Sequence, residues 1–550
     1  MERRAVAEHF DAIVVGTGFG GGVAAARLAQ AGRKILALER GRAWPPGSFP
    51  RTPWELGRGT WDPSEGLYGL FDIWSFHRLD SLVSSGLGGG SLIYANVLLR
   101  RPDAWYADEG DERWPIGPAD LEPHIETVAR ELGATPYPWA DTTPKTRRFR
   151  EAAERSGWGW REVDLAVTFA SAPGGEPEAG VALEGPRTLH GVQRSTCRRC
   201  GECDVGCNYG AKNTMDHTYL TAARDAGAEV RTLCDVLSLE PVDGGTGSAG
   251  WRVRYRVHDA GRTGHSTEPE DGPALREAIA DRVVLAAGTF GTQLLLRRSA
   301  NFLPGLSPTL GDGVSANGDL LTFAARCDED QPLQPHDGPV ITTAVEHVDG
   351  TGGFYLQDAG FPAIGEWMWH AVGAAEDLWH DRREIFELLL RGFHKQRDTN
   401  LSAEVAHLAG RGLTSACLMP LLGMGRDVAD GRLGIDGERR LTCDWAIDRS
   451  RPFFEELLGA AGDIADALGG ELWDTAIGEL DRIITVHPLG GCRMGEDATL
   501  GVVDGWGAVH GCEGLYICDG SVMPGAVGAN PSLTIAAFAE RTAEGIIAAA

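Results

Sequence analysis

Runs of apolar residues broken by glycine open the chain. Residues 11–16, DAIVVG, read as a short strand buried on both faces. Glycines follow, and AAARLAQAG then spaces its apolar positions as a helix does, stopping at Gly32. KILALER (34–40) predicts a second strand. Strand, glycine turn, helix and strand in this order start a doubly wound nucleotide-binding domain. Residues 213–242 return to helix then strand, and RVVLAAG (282–288) predicts a further buried strand. Between them, 243–275 is polar and glycine-rich and predicts a hairpin with an excursion; 170–190, containing SAPGGEPEAGVALEGP, predicts a surface loop. Past residue 300 the pattern mixes strands (PVITTAVEHV, GFYLQDAGF) with a helical stretch, EIFELLLRGF. From 483 the glycine-rich motifs resume, and TIAAFAERTAEGIIAAA predicts a terminal amphipathic helix. The expected architecture is α/β. A Rossmann-like dinucleotide-binding domain covers 1–299, with a cysteine-rich insertion near 195–212; an α+β substrate-covering domain covers 300–482; and 483–550 return to the first domain.

The chain has 550 residues, 43% of them hydrophobic, enough for two or three domains with large cores. Its formal charge of −27 excludes nucleic acid and anionic membrane surfaces as natural partners and points to a small, neutral or apolar substrate. No stretch approaches the about 18 apolar residues of a membrane span. Arg3 and Arg4 are not followed by an apolar run with a cleavage site, so a cytoplasmic location is expected over secretion. The 11 cysteines would be reduced there, and a cluster of them points to metal or redox chemistry.

Gly16, Gly18 and Gly21 form G-x-G-x-x-G between the first strand and the helix. The first glycine permits the tight turn, the second lets backbone approach a pyrophosphate, and the third lets helix and strand pack closely. Glu39, 18 residues after Gly21, ends the second strand, where a carboxylate accepts from ribose hydroxyls and repels a 2′-phosphate. The choice between NAD and FAD falls to the C-terminus. There Asp519 and Gly520 follow the apolar strand in LYICDGSVMP, as at strand ends that meet the pyrophosphate and ribityl chain in flavoproteins. GANPSLTIAAFAER then opens a helix whose N-terminus could face the flavin's pyrimidine end.

Five stretches together resemble the glucose–methanol–choline (GMC) oxidoreductases, and within them the bacterial cholesterol-oxidase-like branch. They are IVVGTGFGGGVAAARLAQAG, SSGLGGGSLIYANVLLR (84–100), VVLAAGTFGTQLLLRRS (283–299), VHPLGGCRMG (486–495) and GANPSLTIAAFAER (528–541). The resemblance implies FAD-dependent hydride abstraction from an alcohol carbon, with reoxidation by oxygen or by an electron acceptor. It implies that Gly89, Gly90, Ser91, Val236, Pro531 and Ser532 join the glycine motif, Glu39, Asp519 and Gly520 in holding FAD, and that His487 and Asn530 lie over the flavin. Pro488, Gly490 and Gly491 fix a non-helical turn from which the His487 imidazole projects. The bland alternatives are a turn-bonding histidine and, for Asn530, a helix N-cap. His217, His370 and His510 lack such a setting and are expected to be structural.

The chain also departs from that branch. Tyr94 stands where the branch often has a small polar residue, so Gly89, Gly90 and Ser91 carry more weight than Tyr94 or Asn96. Steroid-oxidising relatives use a substrate-domain carboxylate as a base, for which Asp358 and Glu366 are the candidates here. WMWH (367–370) and the family branch favour an apolar secondary alcohol, sterol-like or otherwise polycyclic. Two rival classes remain: an electron-transfer flavoprotein serving a protein partner, and a redox-silent flavoprotein or sterol-binding protein.

Cys197, Cys200, Cys203 and Cys207 have the C-x2-C-x2-C-x3-C spacing of bacterial ferredoxins, a candidate iron–sulfur site. Asn208 replaces the proline that usually follows, and no second ferredoxin half is present. A fourth ligand then requires Cys207 to bend back or a remote cysteine to serve. Zinc and an unmetallated thiol-rich loop are the competing readings.

Overall fold

The computed structural model describes residues 8–549 except 52–54, 56–58, 108–111, 186–187, 245, 260–273, 329, 363–416 and 474–481. Glu366, WMWH and EIFELLLRGF therefore lie outside the described residues.

The N-terminal pattern folds as expected. Strand β1 (Glu8–Val15) leads into helix α1 (Phe19–Gln30), and β2 (Ile35–Leu38) follows. All four β2 side chains are buried, as in a parallel strand covered on both faces. With β3 (Glu229–Arg231), β4 (Cys234–Pro241), β5 (Trp251–Val257) and β6 (Ala274–Leu285) they build a sheet in the order β3-β2-β1-β6-β5-β4, and the short strand Leu515–Ile517 also pairs with β6. β6 is longer than RVVLAAG suggests. Its first half pairs antiparallel with β5 as one arm of the expected hairpin, and its second half lies parallel between β1 and Leu515–Ile517. Helix α2 (Gly288–Ser299) follows β6. The C-terminal helix Ser532–Ala548 packs on α1, so the chain end closes the nucleotide fold.

A second, antiparallel sheet contains β7 (Leu320–Ala325), β8 (Thr343–Asp349), β9 (Gly352–Asp358) and β10 (Met419–Gly425), in the order β7-β10-β9-β8. Glu471–Trp473 extends it beyond β7, and Trp160–Glu162 extends it beyond β8. Helix α3 (Arg451–Ala467) lays Phe454, Leu457, Ala461, Ile464 and Ala465 against this sheet at helical spacing. The strand Trp160–Glu162 lies within the span that the sequence pattern assigns to the first domain. At three residues it carries no periodicity, so only its pairing with β8 shows where it belongs.

Candidate active site

The turn after β1 is held open by close backbone contacts. Gly16 has φ +93°, and a Cβ there would lie 2.3 Å from the Ala286 carbonyl oxygen; one on Gly21 would lie 2.0 Å from the Gly16 oxygen. Gly18 meets a second chain segment. Gly89, at φ +54°, comes so near that its Cβ would sit 2.6 Å from the Gly18 Cα. Gly90 is exposed beside it. Ser91 is buried and donates to the Gly88 carbonyl at 2.7 Å while accepting from the Met215 amide at 2.9 Å.

Glu39 is buried at the end of β2. It accepts from Thr17 Oγ1 (2.6 Å), the Thr17 amide (3.1 Å) and the Gly41 amide (2.9 Å), and burial pushes its carboxyl above the usual range. Thr17 Oγ1 in turn accepts from the Gly88 amide at 3.1 Å, joining the carboxylate to the glycine segment. Thr17 is one of the glycine motif's variable positions, so no pattern marks it. The carbonyls of Glu39 and Gly41 accept from the amides of Cys234 and Leu233, which brings the start of β4, and with it buried Val236, alongside.

At the C-terminal side, Asp519 gives its oxygens to the protein itself. It accepts from the Gly288 amide (2.9 Å), from Thr292 Oγ1 and from the Ser521 amide (2.9 Å). It thereby fixes the N-terminus of α2 against the strand end, and the adjoining Gly520 carbonyl accepts from the Gly490 amide. Pro531 and Ser532 open the C-terminal helix, with Ser532 Oγ donating to the Val97 carbonyl at 3.2 Å.

His487 stands half-buried on its turn. Its Nδ1 lies 2.8 Å from Oδ1 of Asp319, a buried carboxylate that also accepts from Thr485 Oγ1 (2.8 Å) and the Val486 amide (2.9 Å). With Nδ1–H donated to Asp319, Nε2 is the free basic nitrogen. Asn530 is buried, and its Oδ1 accepts from Gln357 Nε2 of β9 at 2.7 Å. That contact turns the Asn530 amide so that its NH2 end is the one available to a ligand.

One short segment before β7 links these two groups. Ser315 pairs with Leu489 of the histidine turn, Asn317 bonds the Gly528 amide (2.8 Å) and the Ala529 carbonyl (3.1 Å) beside Asn530, and Asp319 holds His487. Asp427 braces it by accepting from the Ala316 amide at 2.8 Å, and burial pushes the Asp427 carboxyl up to about 7. Asp319, Asn317 and Gln357 were not singled out from sequence. The signal available was a cluster of turn-forming residues, VSANGD, before a strand.

Other candidates separate from this site. Asp358 is fully buried and saturated by Lys145 Nζ (2.8 Å), Thr342 Oγ1 (2.6 Å) and the amides of Thr342 (2.9 Å) and Thr343 (2.7 Å). It is half of an internal ion pair, which corrects its candidacy as a substrate base; Glu366 and His370 lie outside the described residues. His510 bonds the Gly495 carbonyl at 3.1 Å. His217 joins Asp216 and His190 in a buried cluster, where burial lowers the imidazole to about 4. Cys197, Cys200, Cys203 and Cys207 line one cavity as free thiols, and burial pushes Cys200 up to about 12.

A model of the GMC oxidoreductases matches residues 178–302 in its N-terminal part and 451–539 in its C-terminal part. A cholesterol oxidase of Mycobacterium tuberculosis is 31% identical over 97% of this chain and 90% of its own length. The chain belongs to the GMC oxidoreductase family. A cholesterol oxidase of Acinetobacter baumannii is 28% identical over 97% of this chain and 93% of its own. A long-chain-alcohol oxidase of Arabidopsis thaliana is 27% identical over 96% of this chain and 65% of its own. Among solved structures, an Aspergillus oryzae formate oxidase superposes with a TM-score of 0.63 at 14% identity, over 99% of both chains. A pyridoxine 4-oxidase from Mesorbium loti gives 0.58 at 18%, over 97% of this chain and 98% of that one. These two share the fold.

GMC oxidoreductases bind FAD and act on CH–OH groups, so the chain is an FAD-dependent oxidoreductase of that kind. Its residues fit the cofactor. The Gly18–Gly89 approach leaves a side-chain-free cradle, and the Asn96 amide, on the same stretch as Ser91, is fully buried with neither polar atom hydrogen-bonded. A buried amide of that kind calls for a polar partner. No helix among the described residues is long and apolar enough to cross a membrane.

Proposed function

We propose that the enzyme oxidises an apolar secondary alcohol, sterol-like or otherwise polycyclic, to the carbonyl, with His487 and Asn530 as its catalytic pair. The observation that carries this reading is the Asp319–His487 contact at 2.8 Å, on a segment that also clamps the Asn530 loop through Asn317. Bound FAD supplies the hydride acceptor, held by Gly16, Gly18, Gly21, Glu39, Gly89, Gly90, Ser91, Val236, Asp519, Gly520, Pro531 and Ser532.

His487 Nε2 takes the hydroxyl proton as the carbonyl forms, and the Asp319 carboxylate stabilises the imidazolium that results. Asn530, its oxygen occupied by Gln357, donates its NH2 to the substrate oxygen and keeps the alcohol carbon oriented. The similarity to cholesterol and long-chain-alcohol oxidases supports the apolar substrate class and oxygen as the terminal acceptor. The −27 charge supports a small neutral substrate over a polyanion. Four thiols around one cavity favour a second reading of electron disposal, in which an iron–sulfur group passes electrons from flavin to a partner.

The test is anaerobic mixing of the flavoprotein with a panel of sterols and long-chain and short-chain alcohols. Bleaching of the flavin by the apolar secondary members, followed by recovery in air, is expected. A flavin that no alcohol bleaches rules the reading out.

A further inference from the structure

The cysteine run leaves open where its fourth thiol points, because in two-cluster ferredoxins that cysteine serves the other cluster. Here the backbone brings it back. Cys203–Val205 form a single 3-10 turn, and Gly206 follows at φ +85°, packed so closely on Phe49 that a Cβ would lie 2.1 Å from its ring. Arg51 secures the turn by donating to the carbonyls of Val205 (3.1 Å) and Gly206. Cys207 consequently lines the same cavity as Cys197, Cys200 and Cys203, with Val167 and Ala211 in its wall.

The spacing of the thiols decides between one ion and a cluster. Zinc–sulfur bonds of about 2.3 Å hold all four sulfurs within about 4.6 Å of one another. Among the described residues, the one set of three His, Cys, Asp or Glu ligand atoms gathered within 4.8 Å is His190, Asp216 and His217, so no three of these thiols are that close. A cubane bonds each thiolate to a different iron and holds its ligands farther apart.

The wall of the cavity carries Arg198 and Lys212 beside Glu202, and Arg194 stands near it. Lys212 is 1% exposed, and its ammonium donates to three carbonyls, those of Leu92 (3.0 Å), Tyr94 (2.8 Å) and Cys203 (2.9 Å). Arg194 donates to the carbonyls of Gly210 and Lys212 and to Asn213 Oδ1. None of these hydrogen-bond partners is a carboxylate, while Asp204 and buried Asp216 act on Lys212, and Asp216 on Arg194, through space.

We propose that Cys197, Cys200, Cys203 and Cys207 bind a [4Fe–4S] cluster beside the Lys212 ammonium. Four thiolates around the oxidised core carry a net charge of about −2, and the Lys212 ammonium, bonded to the Cys203 carbonyl, lies on their side of the wall. Lys212 also joins the cavity to the flavin side, since Leu92 and Tyr94 belong to the stretch that meets Gly18 through Gly89. The role of the cluster rests on the alcohol-oxidising reading. Each alcohol yields two electrons and two protons. On this second route, which competes with direct reoxidation of the flavin by oxygen, the cluster core passes from 2+ to 1+ and back twice, delivering one electron each time to an external one-electron acceptor of the small redox-protein class, and the protons leave to solvent.

The test is anaerobic purification of the full chain and assay of iron, acid-labile sulfide and FAD on one sample. About four irons and four sulfides per chain are expected, with the four thiols resistant to alkylation in the native protein. Cys203→Ser is expected to lose the iron while FAD and the thermal transition persist. Flavin-replete wild-type protein with iron below about one atom per chain, or with a single zinc, or with all four thiols freely alkylated, overturns the proposal whether or not the variant folds. Flavin bleached by alcohol without iron removes the cluster alone; iron and sulfide without a flavin response remove the alcohol reading alone.

Discussion

Asp319 and His487, 168 residues apart in the chain, meet at 2.8 Å between Oδ1 and Nδ1. The carboxylate comes from the segment before β7 and the imidazole from the turn after Ile483–Thr485, so neither local sequence contains the pair. Because Asp319 also accepts from Thr485 Oγ1 and the Val486 amide, it sets the position of the turn as well as the tautomer of the ring.

His487→Ala is expected to slow flavin reduction by the alcohol at least about a hundredfold while FAD stays bound. Asp319→Asn keeps the shape of the site but loses the anion that orients the ring, and a loss of about ten- to a hundredfold is expected. Stopped-flow reduction of flavin-replete protein measures both. An unchanged rate in Asp319→Asn would reduce Asp319 to a turn-stabilising role.

Gln357→Leu removes the donor to Asn530 Oδ1 and leaves a buried acceptor unpaired. The amide is then free to rotate. A drop in the reduction rate of about tenfold is expected, corresponding to about 1.4 kcal/mol, with the effect absent in an Asn530→Ala background. Additive losses in the double variant would mean that Gln357 acts on something other than Asn530.

Asp358→Asn separates stability from catalysis. It breaks an ion pair in which Lys145 and Asp358 are both fully buried, and a loss of about 3 kcal/mol is expected. Urea unfolding at several temperatures would show it. The flavin-reduction rate of the folded fraction should match wild type; a selective loss of rate would return Asp358 to the reaction.

Burial raises Asp427 from 3.8 to about 7 in the folded protein, so the native state holds a proton there that the unfolded chain releases. Stability from this group is therefore present at low pH and declines as pH rises from about 4 to about 7. Asp427→Asn does not titrate. Its unfolding midpoint relative to wild type should climb across that window and level off above it. A constant difference from pH 4 to 8 would contradict the raised value.

Local pattern was enough for the dinucleotide fold. Gly16 at φ +93° and Gly21 packed on the Gly16 carbonyl are short-range requirements of turn geometry and close packing, whereas Gly18 meets Gly89 of another segment. The strands at PVITTAVEHV and GFYLQDAGF were equally legible as β8 and β9, because period and β-branching are properties of a few neighbouring residues. The family motifs carried His487 and Asn530. Their partners did not follow: Asp319, Asn317 and Gln357 reach the two loops from 168 to 212 residues away, and a polar residue in a turn looks the same whether it faces solvent or a catalytic group. Asp358 shows the converse. A carboxylate beside a strand end suits a base by composition, and only the arrival of Lys145 from a distant helix makes it an internal counter-ion. The cysteine spacing named a ligand set but left the fourth thiol's direction open. That direction was decided by Phe49 and Arg51 pressing on the turn at Gly206, contacts made about 155 residues away in sequence.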